Sequence, residues 1–341
     1  MIEFTRKFIT ICSAWKELLL RNAGNFDAIL EQAKRENPWF EKQEIERSLK
    51  AICDNYLDET LLQIWLNKYS FEKYDHQKSV GIIAAGNIPF VVFHDLLCAL
   101  ACNYEVYLKL SDKDKVLPEY CLDLLLSNDH DRLLKVHIVS KLPEVDKYII
   151  TGSSLTKNYF QSYLKGKPSL IRGHRTSVAV CSGQETDEQW LQLGNDVFSY
   201  FGLGCRNVTK LYIPIGFDIR QVLALWDQEF IYLQNVVPYI RNFEYQKAVK
   251  LLNRISFLES YVLLLEHSSE FSPPISTLYI EEYSNIQDVL EQLHTHKDQI
   301  QCMCASRKYD GIQTIAFGTS QRPGLSDYQD HIDTIEFLLQ E

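Results

Sequence analysis

SVGIIAAGNIPFVVFHDLLCALACNYEVYLK, residues Ser79–Lys109, is the stretch from which the fold can be read. Ser79–Ala84 is a short apolar run of strand length, and Ala85-Gly86-Asn87-Ile88-Pro89 is built of turn residues. Phe90–Ala101 has a helical pattern, and Glu105–Leu110 reads as a second strand. Two strands joined by a crossover helix form a parallel βαβ unit. The apolar run Val80–Cys102 is long enough to raise the question of a membrane span. Asn87, Pro89, His94 and Asp95 in its middle speak against one, because buried polar groups and a helix breaker are costly in lipid.

The alternation continues outward from this unit. Downstream, a helix is expected around Pro118–Leu126, then strands at Leu134–Val139 and Lys147–Thr151 and a helix across Ser154–Leu164. A second series begins at the strand Ser177–Val180 and runs through a helix at Asp187–Phe198 and a strand at Leu211–Ile213. Helices follow within Ile219–Leu233 and Phe243–Phe257, with strands near Tyr261–Leu265 and Leu278–Ile280. The pattern closes with a helix at Ile286–Leu293 and strands at Gln301–Ala305 and Ile312–Phe317. Such alternation predicts two doubly wound α/β domains, with a boundary near Arg175. Upstream, residues 1–70 read as helices interrupted at Asn22–Asn25 and Asn37-Pro38, a packing or oligomerisation element without evident chemistry.

Composition narrows the function. The 341 residues carry a net charge of −10, and Lys109, Lys113 and Lys115 are interleaved with Asp112 and Asp114, so no basic patch for nucleic acid exists. The nine cysteines are scattered without the spacing of a zinc site, which points to no metal and to a reducing, cytoplasmic compartment. Met1–Ala14 has no apolar core of a signal peptide, and the expectation is a protein without membrane span.

Open parallel sheets bind ligands at the carboxyl ends of their strands. Three features fall there: the Gly86-Asn87 turn, Lys109, and Thr151-Gly152-Ser153-Ser154, where Ser153 or Ser154 is placed to cap a helix whose N-terminus suits a phosphate. No complete GxGxxG fingerprint occurs. The second domain contributes Phe201-Gly202-Leu203-Gly204-Cys205-Arg206-Asn207. A cysteine behind two glycines reads either as an exposed nucleophile, attacking as thiolate, or as a small buried hydrophobe.

Taken in order, Gly86-Asn87-Ile88-Pro89 with His94-Asp95, Thr151-Gly152-Ser153-Ser154, Ile171–Val180, Phe201–Asn207 and the closing Gly324-Leu325-Ser326-Asp327-Tyr328 with Asp333-Thr334 resemble the aldehyde dehydrogenase superfamily. Within it, they look like the acyl-CoA reductases of the LuxC type. The resemblance runs from about residue 70 to the C-terminus. It implies an aldehyde-dehydrogenase-like fold: an N-terminal helical segment (1–70), a nucleotide-binding domain (71–175) and a catalytic domain (176–341). The last ~20 residues would return to the first domain or join a homo-oligomer interface. It makes Cys205 the nucleophile and Asn87 the oxyanion donor. Lys109 would hold the adenosine ribose, with Gly152 and Ser153 near the cofactor phosphates. The implied reaction is reduction of a fatty acyl-CoA to an aldehyde through an S-acyl cysteine.

Two departures bear on this reading. Aldehyde-oxidising members carry a general-base glutamate at the position that falls near Ile171, where this chain has Ile171-Arg172-Gly173. Without that base, water attacks the thioester slowly and reduction is favoured. Asp112, three residues past Lys109, suits the ribose of NADH, whereas the LuxC-type resemblance implies NADPH, with Lys113 or Lys115 facing the 2′-phosphate. Acyl phosphate or acyl-carrier substrates, or a binding protein that kept the fold and lost turnover, are the rival readings.

Overall fold

A computed structural model describes residues 2–21, 23–71, 78–309 and 312–340. The chain divides into two compact units, Met1–His174 with Pro323–Glu341, and Arg175–Arg322.

The first unit begins with four helices, α1 (Ile2–Arg21), α2 (Ala23–Glu36), α3 (Lys42–Asn55) and α4 (Glu59–Leu66). The expected break at Asn22–Asn25 lies partly outside the described residues, and α2 already starts at Ala23. Apolar positions of these helices face one core: Ile45 and Ile52 of α3 are buried, and so is Trp15 of α1. The Trp15 ring stacks on Phe93 at 4.8 Å, and its indole N–H donates to the Cys121 carbonyl at 2.9 Å, so the polar tip is satisfied.

A five-stranded sheet follows: β1 (Ser79–Ile83), β2 (Glu105–Lys109), β3 (Lys135–Ile138), β4 (Lys147–Thr151) and β5 (Ser169–Arg172). The order is β3-β2-β1-β4-β5 and every pairing is parallel. Helices α5 (Phe93–Ala101), α6 (Val116–Asn128) and α7 (Ser154–Tyr163) alternate with the strands. The middle of β1 and nearly all of β4 are buried, which explains their continuous apolar runs. The C-terminal helix α12 (Thr334–Leu339) joins this core; Lys147 Nζ donates to its Phe337 carbonyl at 2.8 Å and Tyr104 Oη to Leu338 at 2.7 Å.

The second unit holds a six-stranded sheet in the order β11-β6-β7-β10-β9-β8. Its strands are β6 (Thr176–Val180), β7 (Val208–Pro214), β8 (Leu258–Glu259), β9 (Leu264–His267), β10 (Thr277–Tyr283) and β11 (Ile300–Ala305). All pairings are parallel except β8 with β9. Helices α8 (Asp187–Phe198), α9 (Arg220–Glu229), α10 (Val237–Leu252) and α11 (Ile286–Thr295) complete it.

Three expectations need correction. Residues 312–317 form no strand: among the described residues, only single bridges from Ile312 to Tyr309 and from Ile315 to Cys304 are made. The helix expected from Phe243 begins at Val237, with Pro238 in its first turn, and stops at Leu252. Strand β5 was not foreseen; it is short, and Pro168 precedes it. No described helix is long and apolar enough to cross a membrane.

Candidate functional site

In the first sheet the strand order reverses between β1 and β4: the chain moves from β1 to β2 on one side and from β4 to β5 on the other. Loops that diverge in this way leave a crevice at the carboxyl ends, the usual ligand position of an open α/β sheet. The loop after β1 carries Gly86 and Asn87, and the loop after β4 carries Gly152 and Ser153. Lys109 ends β2, exposed, in register with Ile83.

The glycines are there for space. A Cβ on Gly86 would lie 2.5 Å from Ser111 Oγ, and one on Gly152 would lie 2.7 Å from Thr156 Cγ2. Backbone thus packs where a side chain cannot fit, beside exposed Asn87 and the N-terminus of the ten-residue helix α7. Ser153 is the cap of α7: its Oγ accepts the Thr156 N–H at 3.2 Å and contacts Thr156 Oγ1 at 3.1 Å. The Asn87 turn is fixed from below by Asp114, which accepts the Phe90 N–H at 2.7 Å and holds Phe90 at φ 62°. Burial pushes the Asp114 carboxyl up to about 7.

Ile171 lies within β5, half-buried, packed against the apolar cluster of Val145, Tyr148, Ile150 and Leu164. The next residue turns the other way. Arg172 is buried and its Nη1 donates to both Asp95 carboxylate oxygens at 2.7 and 2.6 Å, while Nη2 donates to Thr334 Oγ1 at 2.7 Å. Asp95, on α5, is therefore held in a buried ion pair with Arg172.

In the second unit Cys205 sits in the turn before β7. It is the one cysteine of the nine that is not buried. Desolvation pushes the Cys53 thiol up to about 11 and raises those of Cys12, Cys98, Cys102, Cys121, Cys181 and Cys304 further, which makes them inert. The backbone leading to Cys205 is unusual: Tyr200, Phe201 and Gly202 have φ of 49°, 59° and 78°. Left-handed conformations cost a non-glycine residue roughly 1–2 kcal/mol each, so something must hold them.

Asn207, whose side chain is wholly buried, brackets them. Its Nδ2 donates to the carbonyls of Asp196, Val197 and Ser199 at 3.1, 3.2 and 2.7 Å, and its Oδ1 accepts the Gly204 N–H at 2.8 Å. One amide therefore caps the end of α8 and anchors the Cys205 turn together. Ser177 Oγ donates to the Cys205 carbonyl at 3.0 Å, and Arg206 Nη1 reaches Cys302 Sγ at 3.2 Å. Asp196, buried, accepts from Gly318 N at 2.7 Å and from Ser320 N and Oγ at 3.0 and 2.7 Å; burial pushes it up to about 6. In the sequence Asn207 is only the last residue of the cysteine motif, and nothing there marks it as the anchor of the turn.

Among the described residues, no cluster of three or more His, Cys, Asp or Glu is placed to hold a metal. Aldehyde dehydrogenases are among the solved structures that resemble this one. Aldehyde dehydrogenase 21 from Physcomitrella patens, in complex with its product succinate, superposes with a TM-score of 0.68 over 98% of this chain and 83% of its own, at 10% identity. The aldehyde dehydrogenase of Bacillus cereus in complex with NAD+ gives 0.61 over 90% and 72%, at 14% identity. The NADP-dependent glyceraldehyde-3-phosphate dehydrogenase of Bacillus halodurans, complexed with NADP, gives 0.60 over 88% and 73%, at 13% identity. Comparison of the sequence with protein-family models and with curated proteins gives no match. The fold is that of the aldehyde dehydrogenases.

Proposed function

We propose that this chain is an NADPH-dependent reductase of acyl-CoA thioesters, with Cys205 as covalent nucleophile. The observation that carries the reading is the singular state of Cys205: the only unburied thiol, on a turn that one buried asparagine holds against its conformational preference.

The Cys205 sulfur attacks the thioester carbonyl as thiolate, and coenzyme A leaves. The amide of Asn87 and the Cys205 backbone N–H take the oxyanion; one such donor is worth ~2.7–4 kcal/mol in related sites. The product is an S-acyl Cys205. With Ile171 packed in an apolar cluster where the aldehyde-oxidising enzymes carry their glutamate, that base for water is missing, so the thioester persists. A nicotinamide cofactor, when bound, supplies the hydride that releases the aldehyde. The sheet crevice fits such a group: Gly86 and Gly152 let the two loops pack closely against Ser111 and Thr156, the N-terminus of α7 suits its phosphates, and Lys109 is exposed for its ribose. Lys113 or Lys115, both exposed, is the residue we assign to the 2′-phosphate of NADPH.

The test is a turnover assay with acyl-CoA of several chain lengths and NADPH or NADH, following aldehyde and cofactor consumption. Aldehyde formation that disappears in Cys205→Ser supports the reading. Production of free acid from acyl-CoA, or turnover that survives Cys205→Ser, overturns it.

A further inference from the structure

Cys302 of β11 stands apart from the inert cysteines. Its sulfur receives an N–H from Arg206 at 3.2 Å, and Arg206 is the residue next to Cys205. A guanidinium beside sulfur favours the thiolate, the form that attacks disulfides and oxidised sulfur. A second observation leads to the same place. Cys302 is in register with Ser177 of the neighbouring parallel strand β6, so both side chains leave the same face of the sheet. The Ser177 hydroxyl is the group that donates to the Cys205 carbonyl, at 3.0 Å. Cys302 thus bonds the Arg206 side chain of the Cys205 turn and stands in register with Ser177, which bonds the same turn.

We propose that Cys302 is a resolving thiol for Cys205, so that oxidation of the nucleophile ends in a reversible Cys205–Cys302 disulfide. Hydrogen peroxide is the oxidant. The Cys205 thiolate attacks one peroxide oxygen; the S–O bond forms, the O–O bond breaks, and the departing hydroxide takes up a proton as water. Cys205 sulfur has given up two electrons and is a sulfenic acid. The Cys302 sulfur then attacks it, the S–S bond forms, the S–O bond breaks, and the hydroxide leaves with the Cys302 proton as a second water. Without a resolving thiol the sulfenic acid proceeds to sulfinic and sulfonic acids, which reducing agents do not reverse. Cys304 is the competing candidate, two residues along the same strand. It is wholly buried, and desolvation, followed by the nearby Asp196 carboxyl, raises its thiol far above the usual range, so it is a poor nucleophile. The proposal rests on Cys205 being the reactive thiol of the reading above, and not on acyl-CoA being its substrate.

The experiment treats the full chain with hydrogen peroxide, then with dithiothreitol, and follows Cys205 by tandem mass spectrometry and by iodoacetamide labelling. The unsubstituted protein is expected to lose two hydrogens, to give a peptide pair joined through Cys205 and Cys302, and to regain most labelling at Cys205 after reduction. Cys302→Ser is expected to accumulate sulfinic and sulfonic Cys205 and to regain little labelling. Cys304→Ser should behave as the unsubstituted protein does. A joined pair that uses Cys304 or Cys181, or equal recovery of Cys205 in Cys302→Ser, overturns the proposal. None of these readouts involves acyl-CoA, so failure of the proposed reaction and failure of this pairing are told apart.

Discussion

Replacing Asn207 by Ala should dismantle the Cys205 turn. The side chain supplies two amide hydrogens to three carbonyls at the end of α8 and accepts the buried Gly204 N–H at 2.8 Å. Taking two donated bonds and one accepted bond at ~1 kcal/mol net each, and about 1 kcal/mol more for an amide left buried without a partner, the loss is ~3–4 kcal/mol. That is a large part of the roughly 5–15 kcal/mol that holds a domain together. Asn207→Asp should be no better near neutral pH: it keeps the acceptor for Gly204 but sets a carboxylate against three carbonyl oxygens. Guanidinium unfolding measures the stability term. A second readout separates positioning from stability: at denaturant-free, folded conditions, adduct formation from acyl-CoA should fall steeply, while alkylation of Cys205 by iodoacetamide, which needs no oriented oxyanion donor, changes by only a few-fold. A loss below ~1 kcal/mol with unchanged adduct formation would refute the claim that Asn207 holds the turn.

In the first unit, Asn87→Ala should slow single-turnover acylation by ~10²-fold or more through loss of one oxyanion donor; an unchanged rate would leave Asn87 as a turn residue only. Gly152→Ala drives a Cβ to 2.7 Å from Thr156 Cγ2, so the first turn of α7 must shift and the dissociation constant for NADPH should rise about tenfold, ~1.4 kcal/mol, in a titration of cofactor fluorescence. The same affinity in the variant would remove that loop from the cofactor site. The carboxyl of Asp196 is pushed up to about 6 by burial, against 3.8 ordinarily, so the folded state binds its proton more tightly than the unfolded chain. Its contribution to stability is then complete below pH 4 and is lost as pH rises through 6. Relative to Asp196→Asn, the unsubstituted protein should therefore lose stability between pH 4 and pH 6 and run parallel to it above; a parallel course throughout would contradict the assignment.

Period and punctuation carried much of the architecture. The strand Lys147–Thr151 and the helix Asp187–Phe198 are found with the bounds read from sequence, because a buried parallel strand is a continuous apolar run and Thr186 with Gln189 makes a capping box at the start of the helix. The alternation in residues 312–317 misled, since an apolar-polar repeat marks a strand only where a neighbour offers a ladder, and only isolated bridges form there. The end of helix α10 was placed late because Leu251 and Leu252, both exposed, extend its apolar pattern, and its start was missed although Pro238 marks it. At the candidate site, the glycines at 86 and 152 and the cysteine at 205 were visible as residue types. The left-handed pair Tyr200 and Phe201 was not, because aromatic residues avoid that conformation and it is stabilised by contacts within the folded turn, among them the bonds of Asn207 on either side of the pair. The Arg172–Asp95 pair was equally silent, being a contact between positions far apart in sequence.

The central claim is that Cys205 takes an acyl group and, lacking a base to activate water, keeps it until hydride arrives. Intact mass spectrometry of the protein incubated with acyl-CoA alone, followed by addition of NADPH, tests it in one time course. The account predicts a single acyl adduct on Cys205 that builds up without release of free fatty acid, since general-base help worth roughly 10²–10⁴-fold is missing, and that discharges as aldehyde once NADPH is added. Rapid appearance of free acid without adduct, or an adduct on a residue other than Cys205, would contradict it.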